Sequence, residues 1–304
     1  MGAGGVTIVE VGPRDGLQNE AAVVSTATKI ELIRRCLAAG VTRVEVASFV
    51  SPRHVPQMAD AEAVVAGLPR LPGVSFIGLV VNERGLERAL AAAVDEVNFV
   101  VVATDTFSQR NQGVPTMAAI DSWGRIGSAA RAAGLRSSVT IGAAFGCPFE
   151  GEVAVERVVE IARRVAETEP DEIALADSIG SGVPTQVADR VAAVREVIGT
   201  IPLRCHFHNT RNAGLANAVA AVEIGVQALD ASLGGIGGCP FAPAATGNIP
   251  TEDLAWMLER MGVPTSLQLE SLVDAAHWLG TQLGKQLPAL VSRAGIFPPP
   301  IVAA

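Results

Sequence analysis

The sequence predicts an α/β protein, a (β/α)8 TIM barrel carrying extra C-terminal helices. Three observations predict it. Eight short runs rich in β-branched residues recur along the chain, separated by longer Ala-rich stretches. Those stretches space their apolar residues at three and four positions, as one buried helix face requires. Eight such units within about 230 residues match a (β/α)8 barrel, whereas an open doubly wound sheet usually has fewer strands. No linker or compositional break divides the 304 residues. We therefore expect one catalytic domain over 1–304, with the barrel at about 5–262 and a helical extension at about 263–304.

The first strand is expected at Val6–Val11, followed by a polar turn over Gly12–Glu20 and a helix over Ala27–Ala39 that Gly40 stops. Strands Arg43–Ala47 and Ser75–Val81 follow, then a helix at Glu83–Ala93 and a strand at Glu96–Val102. Gly134 stops a helix before strand Arg136–Ala143. Helix Val153–Glu167 leads to strand Glu172–Ala176, and helix Thr185–Ile198 to strand Leu203–His208. Helix Gly214–Ile224 ends at Gly225 before the last strand, Ala228–Ser232. From Thr265 onward the pattern reads as added helices, and Pro298–Pro299–Pro300 as an extended tail.

Composition limits the function classes. With 49% hydrophobic residues the chain can build a large core. A net charge of −8 argues against a general nucleic-acid binder but leaves room for a local arginine cluster facing an anion. Cys36, Cys147, Cys205 and Cys239 lack Cys-x-x-Cys spacing, which favours free thiols in a reducing compartment. Met1–Gly5 has no basic n-region, and the apolar runs are short and broken by charge. A cytoplasmic protein with no membrane or nucleic-acid partner is expected.

Barrel active sites sit at the C-terminal ends of the strands. Chemically capable residues concentrate there. Arg14 and Asp15 follow the first strand, Glu45 and Ser48 close the second, and Asp177 and Ser178 follow the sixth. His206 and His208 end the seventh, and a Gly-rich loop, Gly234–Asn248 with Cys239 inside it, follows the eighth. Alternate strand residues share a face, so both imidazoles can converge on one point, a good start for a metal site. The alternative is a half-buried strand with two satisfied histidines.

Closing the barrel makes strands one, seven and eight neighbours, so Asp15 can meet the histidines across the mouth. Asn248 can add an amide oxygen. Two imidazoles, one carboxylate and one amide suit Mg²⁺ or Mn²⁺ and leave two octahedral positions for a chelating substrate. Without thiolates, structural zinc fits less well. Read alone, Asp15 also suits a turn or cap. Arg14 beside a metal suits stabilisation of an enolate or carbonyl oxygen, or else an ion pair with Glu45 or Asp177. A thiol at Cys239 can deliver or remove a proton, unless it is an inert cysteine in a flexible turn. Cys205 and Phe207 point away from the histidine face and read as packing, and Cys36 as core. His54 and His277 are isolated and carry no role. Residues 234–238 lack the Lys-Ser/Thr of a phosphate loop.

Several ordered segments then carry a family resemblance: VEVGPRDGLQNE (Val9–Glu20), ASFVSP (Ala47–Pro52), VPQM (Val55–Met58), GCPFEG (Gly146–Gly151), GGIGGCPF (Gly234–Phe241) and TGNIPTEDL (Thr246–Leu254). From about Val6 to Leu283 the chain resembles hydroxymethylglutaryl-CoA lyase. The resemblance implies a metal-dependent lyase on a (β/α)8 barrel. Asp15, His206, His208 and Asn248 match the family's metal ligands, Arg14 its catalytic arginine, Cys239 its catalytic cysteine, and Glu45 a supporting carboxylate. Gln18, Ser48, Asp177 and Glu252 fall on family-like positions with weaker roles. The implied reaction is retro-Claisen cleavage of a 3-hydroxy-3-methylglutaryl thioester to acetyl-CoA and acetoacetate, with Asp15 or a His206-linked group as base.

The chain also departs from that family. After His208 it reads Asn209–Thr210–Arg211–Asn212–Ala213, where the lyases it resembles usually have an acidic residue and a Tyr-Gly-Gln-like run. Ala176–Ser178 and Arg110–Pro115 differ as well. Arg211 can bind a further substrate carboxylate, or serve a helix cap or ion pair. A citramalyl-CoA or a 3-alkyl-substituted hydroxyglutaryl-CoA fits the same chemistry. His-x-His-Asn is also similar to Claisen-condensing synthases of the isopropylmalate synthase type, but those lack the GGIGGCPF loop. An acyl-CoA is the expected partner, with Arg53, Arg110 and Arg211 as candidates for its phosphates. An amphipathic C-terminal segment suits a homodimer or higher homo-oligomer.

Overall fold

Strands form where β-branched residues cluster, and helices where apolar residues recur on one face. The computed structural model describes residues 5–238 and 247–297. Its strands are β1 Thr7–Glu10, β2 Arg43–Ser48, β3 Ser75–Val80, β4 Glu96–Val102, β5 Arg136–Gly142, β6 Gly146–Cys147, β7 Gly151–Glu152, β8 Glu172–Asp177, β9 Leu203–Phe207 and β10 Ala228–Ala231. The helices are α1 Thr26–Ala38, α2 Ala61–Ala66, α3 Glu83–Ala91, α4 Asp105–Gln112, α5 Thr116–Ala132, α6 Val155–Ala166, α7 Pro184–Ile198, α8 Gly214–Glu223, α9 Thr251–Arg260, α10 Leu269–Leu283 and α11 Val291–Ala294.

Eight parallel strands close a barrel in the order β1-β10-β9-β8-β5-β4-β3-β2, and β6 and β7 form a separate antiparallel pair. This is the expected TIM barrel, and β1, β10 and β9 are neighbours as the closure argument requires. Each expected strand is present, with no end shifted by more than one residue. Gly40, Gly134 and Gly225 adopt the positive φ of 95°, 70° and 84° that ends the preceding helices. Helix starts follow capping chemistry: Ser25 accepts from the Thr28 amide at 3.1 Å, and Asn82 from the Gly85 amide at 2.9 Å. Helix α6 buries Val158, Ile161, Ala162 and Val165, the face its spacing foretold.

The sequence reading placed the end of a helix at Gly134 but gave no bounds to the helices between β4 and β5, where α4 and α5 stand. Gly124 and Gly127 weaken the helical signal of α5, because glycine costs about 1 kcal/mol in a helix relative to alanine. Tertiary packing supplies what propensity lacks. Trp123 is buried and donates through Nε1 to the Val165 carbonyl at 3.0 Å. A Cβ at Gly127 would stand 2.8 Å from Thr168 and 3.1 Å from the Trp123 ring, so only glycine lets these segments approach.

The main apolar core lies between the outer faces of the strands and the helices, and includes Ile8, Val44, Phe76, Val139 and Leu229. Val9, Val11 and Ile77 form a separate small cluster. Much of the remaining strand surface is buried and polar: Glu45, Glu96, Asn98, Ser138, Glu172 and Arg204. Beyond the barrel, α10 packs against α1. Asp253 accepts from the Leu290 amide at 2.9 Å and the Val291 amide at 2.7 Å, fastening the start of α11 to α9. The Pro298–Pro300 run lies outside the described residues, among which no helix is long and apolar enough to cross a membrane.

Candidate metal centre

Asp15 owes its position to an unusual turn. Directly after β1, Gly12–Gly16 winds one π-type turn in which the Arg14, Asp15 and Gly16 amides all approach the Val11 carbonyl, at 3.1, 2.7 and 3.2 Å. That turn lifts Arg14 and Asp15 over the barrel mouth. His206 on β9 and His208 just past its end bring their rings together, with centroids 5.1 Å apart. Asp15, His206 and His208 each bring a ligand atom within 4.8 Å of the others. An isolated antiparallel bridge sets Asn248 beside His208.

The expected four residues therefore gather at one point. Asp15 Oδ2 lies 4.0 Å from His208 Nε2, and Asn248 Nδ2 donates to it at 2.8 Å. Asn248 Nδ2 also donates to the Ile236 carbonyl at 3.1 Å, while its Oδ1 is buried without a hydrogen-bond partner. In this arrangement the amide faces the carboxylate through nitrogen. To act as a ligand it must turn its terminal bond by half a revolution and present Oδ1, the group now lacking a partner.

Arg14 is clamped between two carboxylates. Its Nε donates to Glu45 Oε2 at 2.7 Å, and its Nη1 to Asp15 Oδ1 at 2.7 Å. Of the two ion-pair partners offered for Arg14, Glu45 and Asp177, the structure shows Glu45, largely buried rather than at the surface. Burial disfavours the Asp15 carboxylate, but Arg14, the two histidines and the Asn248 amide outweigh it and hold its pKa down at about 2. Burial and the charge of neighbouring His206 push His208 down to about 4, so its imidazole is neutral. Burial also opposes charge on His206, but the hydrogen bond to Asp230 prevails and raises it.

Asp230 is a site residue that sequence reasoning missed. His206 Nδ1 donates to its Oδ2 at 3.1 Å, leaving Nε2 free. The signal was present in the sequence, since Asp230 is the lone charge in the otherwise apolar strand Ala228–Ala231.

The donor set fits a divalent cation. It consists of an ionised carboxylate, two imidazoles and an adjacent amide oxygen without a partner. Charge points the same way. The buried network around the site holds three guanidiniums (Arg14, Arg43, Arg204) against five carboxylates (Asp15, Glu45, Glu96, Glu172, Asp230). That excess of negative charge favours a cation at the site.

Other expected residues fall differently. Gln18 Oε1 and Ser48 Oγ are buried without partners, as groups awaiting a ligand can be. Asp177 is instead committed to its own loop, where it accepts from the Ser181 amide at 2.9 Å and the Gly182 amide at 2.8 Å. Burial raises its carboxyl above the usual range. Arg211 donates to the Ile179 and Gly180 carbonyls at 3.0 Å each, so it clasps the β8 loop rather than capping a helix or pairing with an acid. These two placements share a cause: the loop after β8 needs partners for its backbone and takes the nearest polar side chains. Arg110 lies over the Phe149 ring at 4.1 Å, and Arg53 is exposed. His277 Nε2 donates to the Ser292 carbonyl at 2.7 Å, a structural contact. Cys36 and Cys205 are buried free thiols in the core, as expected. Cys239 lies outside the described residues. Its neighbour Gly238 is tied to the site, because Asn19 Nδ2 donates both to the Gly238 carbonyl at 3.0 Å and to the Asp15 carbonyl at 3.1 Å.

Behind the site, Glu252 Oε2 accepts from the Gly234 amide at 2.9 Å and Oε1 has no partner. Burial pushes its carboxyl up to about 8 from an ordinary 4.5. Folded chain therefore keeps a proton that unfolded chain has lost, and stability falls as pH rises from about 4.5 to about 8. Glu252→Gln removes that dependence and keeps an acceptor for Gly234. It is expected to raise the melting temperature at the alkaline end by the equivalent of a few kcal/mol at most and to change little at the acid end. Melting curves across that range check it; an alkaline-end loss of stability would contradict the buried neutral acid.

Comparison with known proteins agrees with this geometry. The HMGL-like family model matches residues 5–279. The chain is 46% identical to the (R)-citramalyl-CoA lyase of Chloroflexus aurantiacus, over 98% of this chain and 97% of that protein. It is 38% identical to a hydroxymethylglutaryl-CoA lyase of Bacillus subtilis, over 93% of this chain and 95% of that one. Its fold superposes with a TM-score of 0.93 on an HMG-CoA lyase from Acinetobacter baumannii in complex with coenzyme A and 3-methylmalate, at 38% identity and 96% coverage of both chains.

Proposed function

The chain belongs to the HMGL-like family, and from that premise we propose that it is a divalent-metal-dependent carbon–carbon lyase for a 3-hydroxy-3-methylglutaryl-CoA-like thioester. The products are acetyl-CoA and a keto acid, acetoacetate when the substrate is hydroxymethylglutaryl-CoA. The observation that carries the reading is the convergence of Asp15, His206 and His208 beside the Arg14 guanidinium. Mg²⁺ or Mn²⁺, held by those three residues and Asn248, would chelate the substrate's hydroxyl and carboxylate and make the hydroxyl more acidic.

The chain's own groups supply the rest. Asp15, with its pKa held down at about 2, is a poor resting place for a proton and serves as ligand rather than base. When a His206-linked base takes the hydroxyl proton and the C2–C3 bond breaks, the electron pair moves into the thioester, and an enolate oxygen develops. Arg14, fixed by Glu45 and Asp15, is placed to stabilise that oxygen. Cys239 is assigned the return of a proton to C2, which completes acetyl-CoA. Support for this is the tie from Asn19 to Gly238, which anchors the residue before Cys239 to the Asp15 backbone. Cys239→Ser should keep metal affinity and lose most turnover; isothermal titration with Mn²⁺ beside a turnover assay checks it. Full activity in that variant would remove the cysteine from the mechanism.

A second reading, citramalyl-CoA as substrate, with pyruvate as the keto product, is favoured by the 46% identity to a citramalyl-CoA lyase. It needs the same bond cleavage with a carboxylate one carbon nearer. Both named relatives are lyases, which weighs against the condensing alternative. Incubation of the purified protein and Mg²⁺ with hydroxymethylglutaryl-CoA, citramalyl-CoA and 3-alkyl homologues, with products identified by mass spectrometry, decides among them. Absence of acetyl-CoA from every member of that panel would end the lyase reading.

A further inference from the structure

We propose that Asp230 is a positioning residue, which holds His206 with Nε2 turned to the metal centre and is itself held by a column of ion pairs inside the barrel. The inference rests on reading that centre as a cation site. Its geometry begins with strand register: Asp230 on β10 is paired with His206 on β9, so the two side chains stand level inside the barrel. His206 Nδ1 donates to Asp230 Oδ2 at 3.1 Å, and both residues are buried. A neutral imidazole that spends its Nδ1 proton on a carboxylate has its lone pair on Nε2. Carboxylates behind ligand histidines set ring orientation and basicity in this way. His208 has no such support, since its Nδ1 is buried without a partner. The two ligands are thus unequal, and His206 is the anchored one.

Asp230 is in turn fixed from below. Arg204, two residues before His206 and on the same face of β9, is only 2% exposed. Its Nη1 lies 3.4 Å from Asp230 Oδ1, and its Nε lies 3.2 Å from Glu172 Oε1. Arg43 joins Glu172 at 3.0 Å to Glu96 at 2.8 Å. Ser138 donates to Glu96 at 3.0 Å and Asn98 donates to Glu45 at 3.2 Å, with Ser138 and Asn98 themselves 3.4 Å apart. Glu45 leads back through Arg14 to Asp15. Asp15 and His206 therefore sit at the two ends of one polar circuit through the barrel. A buried guanidinium shared by two carboxylates has little freedom, because moving it leaves a charge unpaired. That rigidity is what Asp230 passes to His206.

The test begins with the wild-type protein. Nitrogen NMR of ¹⁵N-histidine-labelled apo protein at alkaline pH, with the His206 signal assigned by its loss in His206→Gln, is expected to show the proton on Nδ1. A proton on Nε2 overturns the proposal whatever the variants do. Asp230→Asn is nearly isosteric and should weaken Mn²⁺ binding about 10–100-fold by titration calorimetry. Asp230→Glu should recover part of that loss if the carboxylate is what matters. A purely structural Asp230 would lower the apo melting temperature yet leave Mn²⁺ affinity of the folded variant unchanged, and that result also overturns the proposal. Failure of the wild type itself to bind Mn²⁺ would remove the cation-site reading and this inference together, whereas equal affinities of wild type and variant remove this inference alone.

Discussion

Arg14→Gln is expected to lower kcat by about 10²–10³-fold while Mn²⁺ still binds, the cost of about 3–4 kcal/mol typical of losing one preorganised oxyanion donor. The reason lies in how the guanidinium is held. Glu45 takes Nε at 2.7 Å and Asp15 takes Nη1 at 2.7 Å, so the group needs no reorganisation when the enolate forms. Removing the charge also leaves two buried carboxylates unpaired, which costs about 3–5 kcal/mol of stability in such settings. Arg14→Lys separates the two effects. It keeps a positive charge but cannot span both acids as a fork, so stability should recover more than kcat does. Steady-state kinetics at saturating metal, with melting curves on the same preparations, check this. A glutamine variant with wild-type kcat would show that the oxyanion is stabilised elsewhere.

His206→Ala should weaken Mn²⁺ binding by more than about 100-fold, since loss of a supporting contact alone moves such affinities about 10–100-fold. One imidazole of the convergent set disappears, and Asp230 loses its hydrogen bond with it. Thermal stabilisation by metal should vanish in parallel, because a ligand at about 100 times its Kd adds about 2.7 kcal/mol to a folded protein that binds it. The exposed His54 serves as control, and His54→Ala should keep both affinity and stabilisation. Unchanged Mn²⁺ affinity in His206→Ala would place the cation at some other set of side chains.

Local pattern was enough to read much of this molecule. The eight strands of the barrel, the helix-ending glycines and the pair of histidines on one face all follow from spacing within a few residues. Asp15 was legible through one added rule, that closing a barrel brings its first and last strands together. Helix α5 was legible only at its end, Gly134, because Gly124 and Gly127 lower its propensity while Trp123 and the contact with Thr168 restore its place only after folding. The unequal standing of Asp177 and Arg211 was also hidden. Both are expected as substrate contacts, and the backbone bonds they make to the β8 loop depend on how that loop folds.

By itself, then, the sequence determined the barrel and the ends of the strands at which chemistry collects, since alternation and helical periodicity are short-range properties of the chain. Tertiary structure alone decided that Asp230 stands behind His206, that Arg204 and Arg43 tie it to Glu172 and Glu96, and that Arg14 is locked between two acids. Those partners lie on different strands, and which of them meet depends on the register between neighbours, a quantity that exists only once the sheet has closed.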